Sequence, residues 1–113
     1  MTSKVPTEAE EQKILVHYLV LNNIKHFRVP NETYTTSWKQ KMNNKLLGVS
    51  RGVPDIFIII KDNLVAIEMK RLKGSVTSPE QKIWIGELNK AGVYSKICFG
   101  AKEAIDLIEK LNR

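Results

Sequence analysis

The strongest constraint on this chain lies at its centre. The run from Asp55 to Ile60 is almost continuously β-branched or aromatic, and the run from Leu64 to Lys70 alternates in polarity, with Asp62-Asn63 between them. Two such runs around a short polar turn read as a β-hairpin. With Asp62 and Asn63 as the loop residues, Lys61 pairs with Leu64, Ile59 with Ala66, Phe57 with Glu68 and Asp55 with Lys70. Alternate residues of a strand share a face, and cross-strand partners share it too. Asp55 then lies on the face of Glu68 and Lys70, diagonal to Glu68 at roughly 7–8 Å. The turn must be even in length, because a one-residue slip sends Asp55 to the other face.

Two carboxylates brought together in this way suit a hard cation such as Mg²⁺, which takes one or two protein carboxylates and keeps several waters. The ion can polarise a phosphoryl oxygen and acidify a water, while an adjacent ammonium neutralises developing charge. Glu-x-Lys by itself arises by chance in any charged chain and would then be a solvated strand face. Its setting in an apolar hairpin, with Pro54-Asp55 at the matching distance, gives it weight.

Around the hairpin the order of elements is α, β, ββ, α, β, α, without internal repeats. Thr7 caps a helix from about Glu8 to Leu21, with Glu8, Glu10 and Glu11 at its positive dipole end. Glu8 and Gln12 fall in line with Leu15 and Leu19, so a polar pair continues an apolar stripe. Ile24 to Val29 reads as a short strand ended by Pro30. From Thr33 to Pro54 no acid occurs, and Lys39, Lys41, Lys45 and Arg51 accompany Tyr34 and Trp38, which reads as a long basic surface loop. Ser78-Pro79-Glu80-Gln81 starts a second helix that runs to about Ala91, with Gln81 placed for a capping box. Tyr94 to Phe99 is a strand, and Lys102 to Leu111 a last amphipathic helix. His17 and His26 lack metal-pair spacing and read as ordinary histidines, while Tyr18 and Trp84 read as core or partly buried aromatics.

The 113 residues suffice for one core, so residues 1–113 are expected to form a single α/β domain with a central mixed sheet flanked by helices. Eighteen Lys+Arg against twelve Asp+Glu leave a net charge of +6, which suits a polyanion. The one cysteine, Cys98, permits no internal disulfide or thiolate cage and fits a reducing cytoplasm. No apolar stretch reaches the roughly 20 residues that span a bilayer, and the acidic start is unlike a signal peptide. Neither a membrane nor a small organic cofactor is expected.

Gly52-Val53-Pro54-Asp55 followed by Ile67-Glu68-Met69-Lys70 resembles the signature of the PD-(D/E)XK nuclease superfamily. Pro30-Asn31-Glu32, the segment from Gly48 to Asp55, Lys70-Arg71 with Gly74, and Ser78-Pro79-Glu80-Gln81-Lys82 with Trp84 are similar to the virus-type replication and repair nuclease domain, VRR-NUC. The resemblance covers almost the whole chain. It implies a restriction-endonuclease-like core, Mg²⁺ or Mn²⁺ held by Asp55, Glu68 and the Met69 carbonyl, and Lys70 as catalytic lysine. It also implies a first-helix glutamate, assigned to Glu8 although Glu10 and Glu11 compete, and a second-helix glutamine at Gln81, whose capping role needs no active site. Asn31, Glu32 and Gln12 rank second. Lys39, Lys41, Lys45, Arg51, Arg71, Lys73 and Trp38 are the expected DNA contacts.

The expected activity is metal-dependent endonucleolytic cleavage of DNA. Standalone members of this family, often from phages, act as dimeric resolvases of four-way junctions, so a homodimeric Holliday junction resolvase acting in repair is the first reading. A flap or restriction-type nuclease is a further reading. A basic module that binds nucleic acid for a replication or repair partner, without cleavage, is the reading from another class.

Overall fold

The computed structural model describes residues 4–30 and 37–113. Four helices and four strands follow in chain order: α1 (Glu8–Leu21), β1 (His26–Arg28), α2 (Trp38–Leu46), β2 (Ile56–Ile60), β3 (Asn63–Lys70), α3 (Pro79–Lys90), β4 (Tyr94–Phe99) and α4 (Ala101–Leu111). The strands form one mixed sheet in the order β1-β2-β3-β4. β2 pairs antiparallel with both β1 and β3, whereas β3 and β4 are parallel and joined by α3, because a parallel pair needs a crossover rather than a tight turn. The architecture is the α/β sheet flanked by helices that the element order implies.

The hairpin register differs from expectation by one residue pair. Phe57 faces Ala66, Ile59 faces Leu64 and Ile60 faces Asn63, so the turn consists of Lys61 and Asp62, not Asp62 and Asn63. Both turn residues have positive φ, 48° and 66°, the backbone twist that a two-residue hairpin loop requires. Asn63 instead starts β3, and its side-chain amide donates to the Lys61 carbonyl at 3.1 Å. The turn stays even in length, so Asp55 keeps its face, and continuing the register one step puts it directly opposite Glu68 rather than diagonal to it.

One face of the sheet carries Ile56, Ile58, Ile60, Val65, Ile67 and Met69, which pack with Leu15 and Leu19 of α1 and Ala104, Leu107 and Ile108 of α4 into the main core. Cys98 joins this core, and burial pushes its thiol up to about 11, so it serves as a small apolar residue. Ala66, Glu68 and Lys70 occupy the other face of β3 and are buried as well. α3 packs along β4, where the Asn89 side chain bonds both the amide and the carbonyl of Ser95.

The segment from Thr33 to Pro54 is not one continuous loop, since it contains α2. Ser37 caps that helix by accepting from the Gln40 amide at 3.2 Å. Trp38, Met42 and Leu46 recur at a spacing of four, yet α2 buries none of its side chains. Tyr34, with Asn31 and Glu32, lies outside the described residues.

Candidate active site

Pro54 is fully buried and leads into Asp55, the last residue before β2. The Asp55 carboxylate accepts from the Met69 amide at 3.0 Å through Oδ2, which fixes it across the hairpin. Glu68 is 2 % exposed, and its Oε1 is buried without a hydrogen-bond partner among the described residues. Such an orphaned oxygen is costly unless something binds it, and a cation supplies what the protein withholds. Lys70, two residues on, is also buried and donates from Nζ to the Val76 carbonyl at 3.3 Å.

A third carboxylate arrives from α1. One oxygen each of Glu8, Asp55 and Glu68 lie within 4.8 Å of one another, a spacing in reach of one cation. The three neighbouring acids of α1 separate by what they touch. Glu10 completes the Thr7 capping box, its Oε1 accepting from the Thr7 amide at 3.1 Å. Glu11 is buried and its Oε1 accepts from the Ala101 amide at 3.1 Å, ninety residues away in sequence. Glu8 alone of the three joins the cluster.

Electrostatics match this geometry. Burial, then the adjacent Asp55 carboxylate, push the Glu68 carboxyl up to about 9, and Lys70 acts in the opposite direction. Glu8 is raised for the same two reasons, burial first and Asp55 second, again opposed by Lys70. Negative charge is therefore crowded in a site where water does not relieve it. A divalent cation fits these donors: three hard carboxylate oxygens, one of them unsatisfied, beside an ammonium.

Gln81 performs the capping role: its Oε1 accepts from the Ser78 backbone amide at 3.0 Å, and its backbone N–H donates to Ser78 Oγ at 3.2 Å. That first turn of α3 is tied to the segment leading into Asp55 through Gly52, whose φ is +85°. A Cβ there would lie 2.6 Å from the Glu80 carbonyl carbon and 2.7 Å from the Gln81 nitrogen, so the close approach needs glycine. Gln12 lies on another flank of α1, lining a surface groove with Lys13, His17 and Arg28. His26 turns to its own backbone, its Nδ1 2.9 Å from the Ile24 carbonyl oxygen.

Among the expected DNA contacts, Lys41, Lys45 and Arg51 converge on a groove between α2 and α3, with Trp84 on its wall. Lys39 and Trp38 are exposed on α2, and Trp38 does not line that groove. Arg71 folds back onto the next loop, donating to the Gly74 carbonyl at 3.3 Å, while Lys73 is exposed. Sequence reasoning missed Glu11 as the inter-helix bond and Trp84 as a groove residue. The spacing of Glu11, Leu15 and Leu19, each four apart, was the available signal for the first.

A mixed sheet whose central hairpin sets two acids and a lysine beside a carboxylate from the leading helix is a nuclease-type α/β fold. The chain belongs to the VRR-NUC domain family, whose model matches residues 7–102. A solved structure described as a VRR_NUC domain protein superposes with a TM-score of 0.78 at 24 % identity, covering 96 % of this chain and 89 % of that one. None of the curated proteins matches the chain.

Proposed function

We propose that this protein is a divalent-metal-dependent DNA endonuclease whose active site is Glu8, Asp55, Glu68 and Lys70. The unpartnered, buried Oε1 of Glu68 beside two further carboxylates carries this reading. A module that only binds nucleic acid has no use for three acids crowded in a basic chain, because they repel phosphate. Asp55, Glu68 and Glu8 would hold Mg²⁺ or Mn²⁺, with the Met69 carbonyl as a further ligand. The ion, when bound, supplies Lewis-acid polarisation of the phosphate and lowers the pKa of water. Met69 orients Asp55 through its amide, and the Lys70 ammonium, held from behind by Val76, neutralises charge that develops on the phosphate. Gln81 supports the site by capping α3, with Asn31 and Glu32 as secondary positions.

Branched DNA is the proposed substrate, and a homodimer resolving four-way junctions the proposed assembly, since two-fold symmetry places two such sites for paired cuts. The test is cleavage of four-way junction, flap, single-stranded and linear duplex DNA with Mg²⁺ or Mn²⁺. Junction cutting that is abolished by chelation and by Lys70→Ala is the expected result. Cleavage by Lys70→Ala at the rate of the natural sequence would overturn the assignment of the lysine, and equal cutting of linear duplex would overturn the junction reading.

A further inference from the structure

A groove of about 590 Å³ opens between α2 and α3, next to the segment that enters the acid cluster. Its walls are built alike. α2 presents Lys41, Asn44 and Lys45, and α3 presents Glu80, Ile83 and Trp84, each set at positions i, i+3 and i+4 of a helix, which share one face. Val49, Ser50 and Arg51 complete the lining. The joint at Gly52, where no Cβ fits against the first turn of α3, fixes the distance between this lining and the α3 wall. Arg51 precedes Asp55 by four residues, at most about 14 Å of extended chain, so a strand entering the proposed site could reach the groove.

Three cations against one carboxylate mark the lining as a phosphate surface. Charge alone would suit any polyanion, but the groove also carries Ile83, 64 % exposed, and the half-buried Trp84. Exposed apolar and aromatic groups inside a cationic groove are the means by which proteins hold unpaired strands, with bases stacked on rings and phosphates on cations. Sites of roughly 300–1,000 Å³ take small ligands, so the groove's volume matches a nucleotide or two of one strand.

We infer that the groove between α2 and α3 binds an unpaired nucleotide of the strand being cut, its base against Trp84 and its flanking phosphates on Lys41, Lys45 and Arg51. The site thereby selects DNA that is splayed open at the cleavage point. This rests on the nuclease reading for its biological meaning, but binding can be measured apart from cleavage.

The chain has two tryptophans, so Trp38→Phe, its oligonucleotide affinity first compared with that of the natural sequence, leaves Trp84 as the sole indole reporter. In metal-free buffer with chelator, titration with a short oligothymidylate should quench and shift Trp84 emission. An abasic oligonucleotide of equal length, or inorganic polyphosphate, should bind without that change. Trp84→Leu should weaken oligothymidylate about tenfold and leave the abasic strand unaffected, whereas Lys41→Glu with Lys45→Glu should weaken both. Trp84→Phe should retain most of the preference for bases. Unchanged Trp84 emission, quenching equal to that by the abasic strand, or binding of polyglutamate as tight as oligothymidylate would overturn the inference. Base-dependent quenching without any Mg²⁺- or Mn²⁺-supported cleavage would keep the groove and reject the nuclease; cleavage without quenching would do the reverse.

Discussion

Glu68 is the most strongly perturbed carboxyl of the proposed site. Its carboxyl sits between a core that rejects charge and a neighbouring Asp55 that repels it, so without a cation it holds its proton up to about 9. The consequence for stability has a definite sign. A carboxyl raised in the folded state binds a proton that the unfolded chain has released, so its contribution is complete below the ordinary value of 4.5 and is lost as pH rises through about 9. Thermal melts without divalent ions should therefore show the natural sequence losing stability relative to Glu68→Gln across that window. Mn²⁺ must displace the proton, so its affinity should rise about tenfold per pH unit in the same window, read by calorimetry or by the metal-induced gain in Tm. A Tm gain independent of pH would mean that Glu68 is not the titrating ligand. Asp55 needs a gentler variant than alanine, because its Oδ2 satisfies the Met69 amide and truncation leaves that donor unpaired. Asp55→Asn retains an acceptor and isolates the charge.

At the scale of elements, the joint between α1 and α4 holds the third carboxylate in place. α4 begins at Gly100 without a side-chain cap of its own, and Glu11 supplies the missing acceptor to the Ala101 amide from α1. Glu11 lies one turn after Glu8, so the same bond sets the position of the α1 residue that faces the cluster. Glu11→Ala should cost about 1–3 kcal/mol of folding stability in urea unfolding, because a buried helix-terminal donor loses its partner. Glu11→Gln, which keeps the acceptor oxygen, should recover most of it, and equal loss in the two variants would contradict the bond's importance. α2 shows the opposite case. It is a helix with a clear cap at Ser37 and apolar residues at a spacing of four, yet its strongly cationic composition resembles a loop when apolar periodicity is weighed by content. The cap at Ser37 and the spacing of Trp38, Met42 and Leu46 were the available signals, and the run of lysines without acids reads as a loop instead.

For the whole molecule, the net charge of +6 and the buried acids act together. On the proposed reading, the basic surface would draw DNA in, and the carboxylates of the Glu8, Asp55 and Glu68 cluster would oppose it at one place until a cation reversed the sign. As a proposed homodimer, the protein should sediment at twice the 12.9 kDa of the chain at the concentrations where it cuts junctions. A monomer under those conditions would separate the nuclease from the resolvase reading and leave the former standing.

The hairpin, the caps at Thr7 and Ser78 and the strand from Tyr94 to Phe99 were determined by sequence alone, because each depends on residues near one another in the chain. So was the shared face of Asp55, Glu68 and Lys70, since strand alternation survives a shift of the turn by a whole pair. Tertiary structure decided the rest. It set Asp55 directly opposite Glu68, distinguished Glu8 from Glu10 and Glu11 by what each one touches, and brought Trp84 beside Lys41, Lys45 and Arg51. The Glu8 and Glu11 contacts and the groove join residues tens of positions apart, and those of α1 exist only once burial of Leu15, Leu19, Ile67 and Ile108 has packed α1 and α4 onto the sheet.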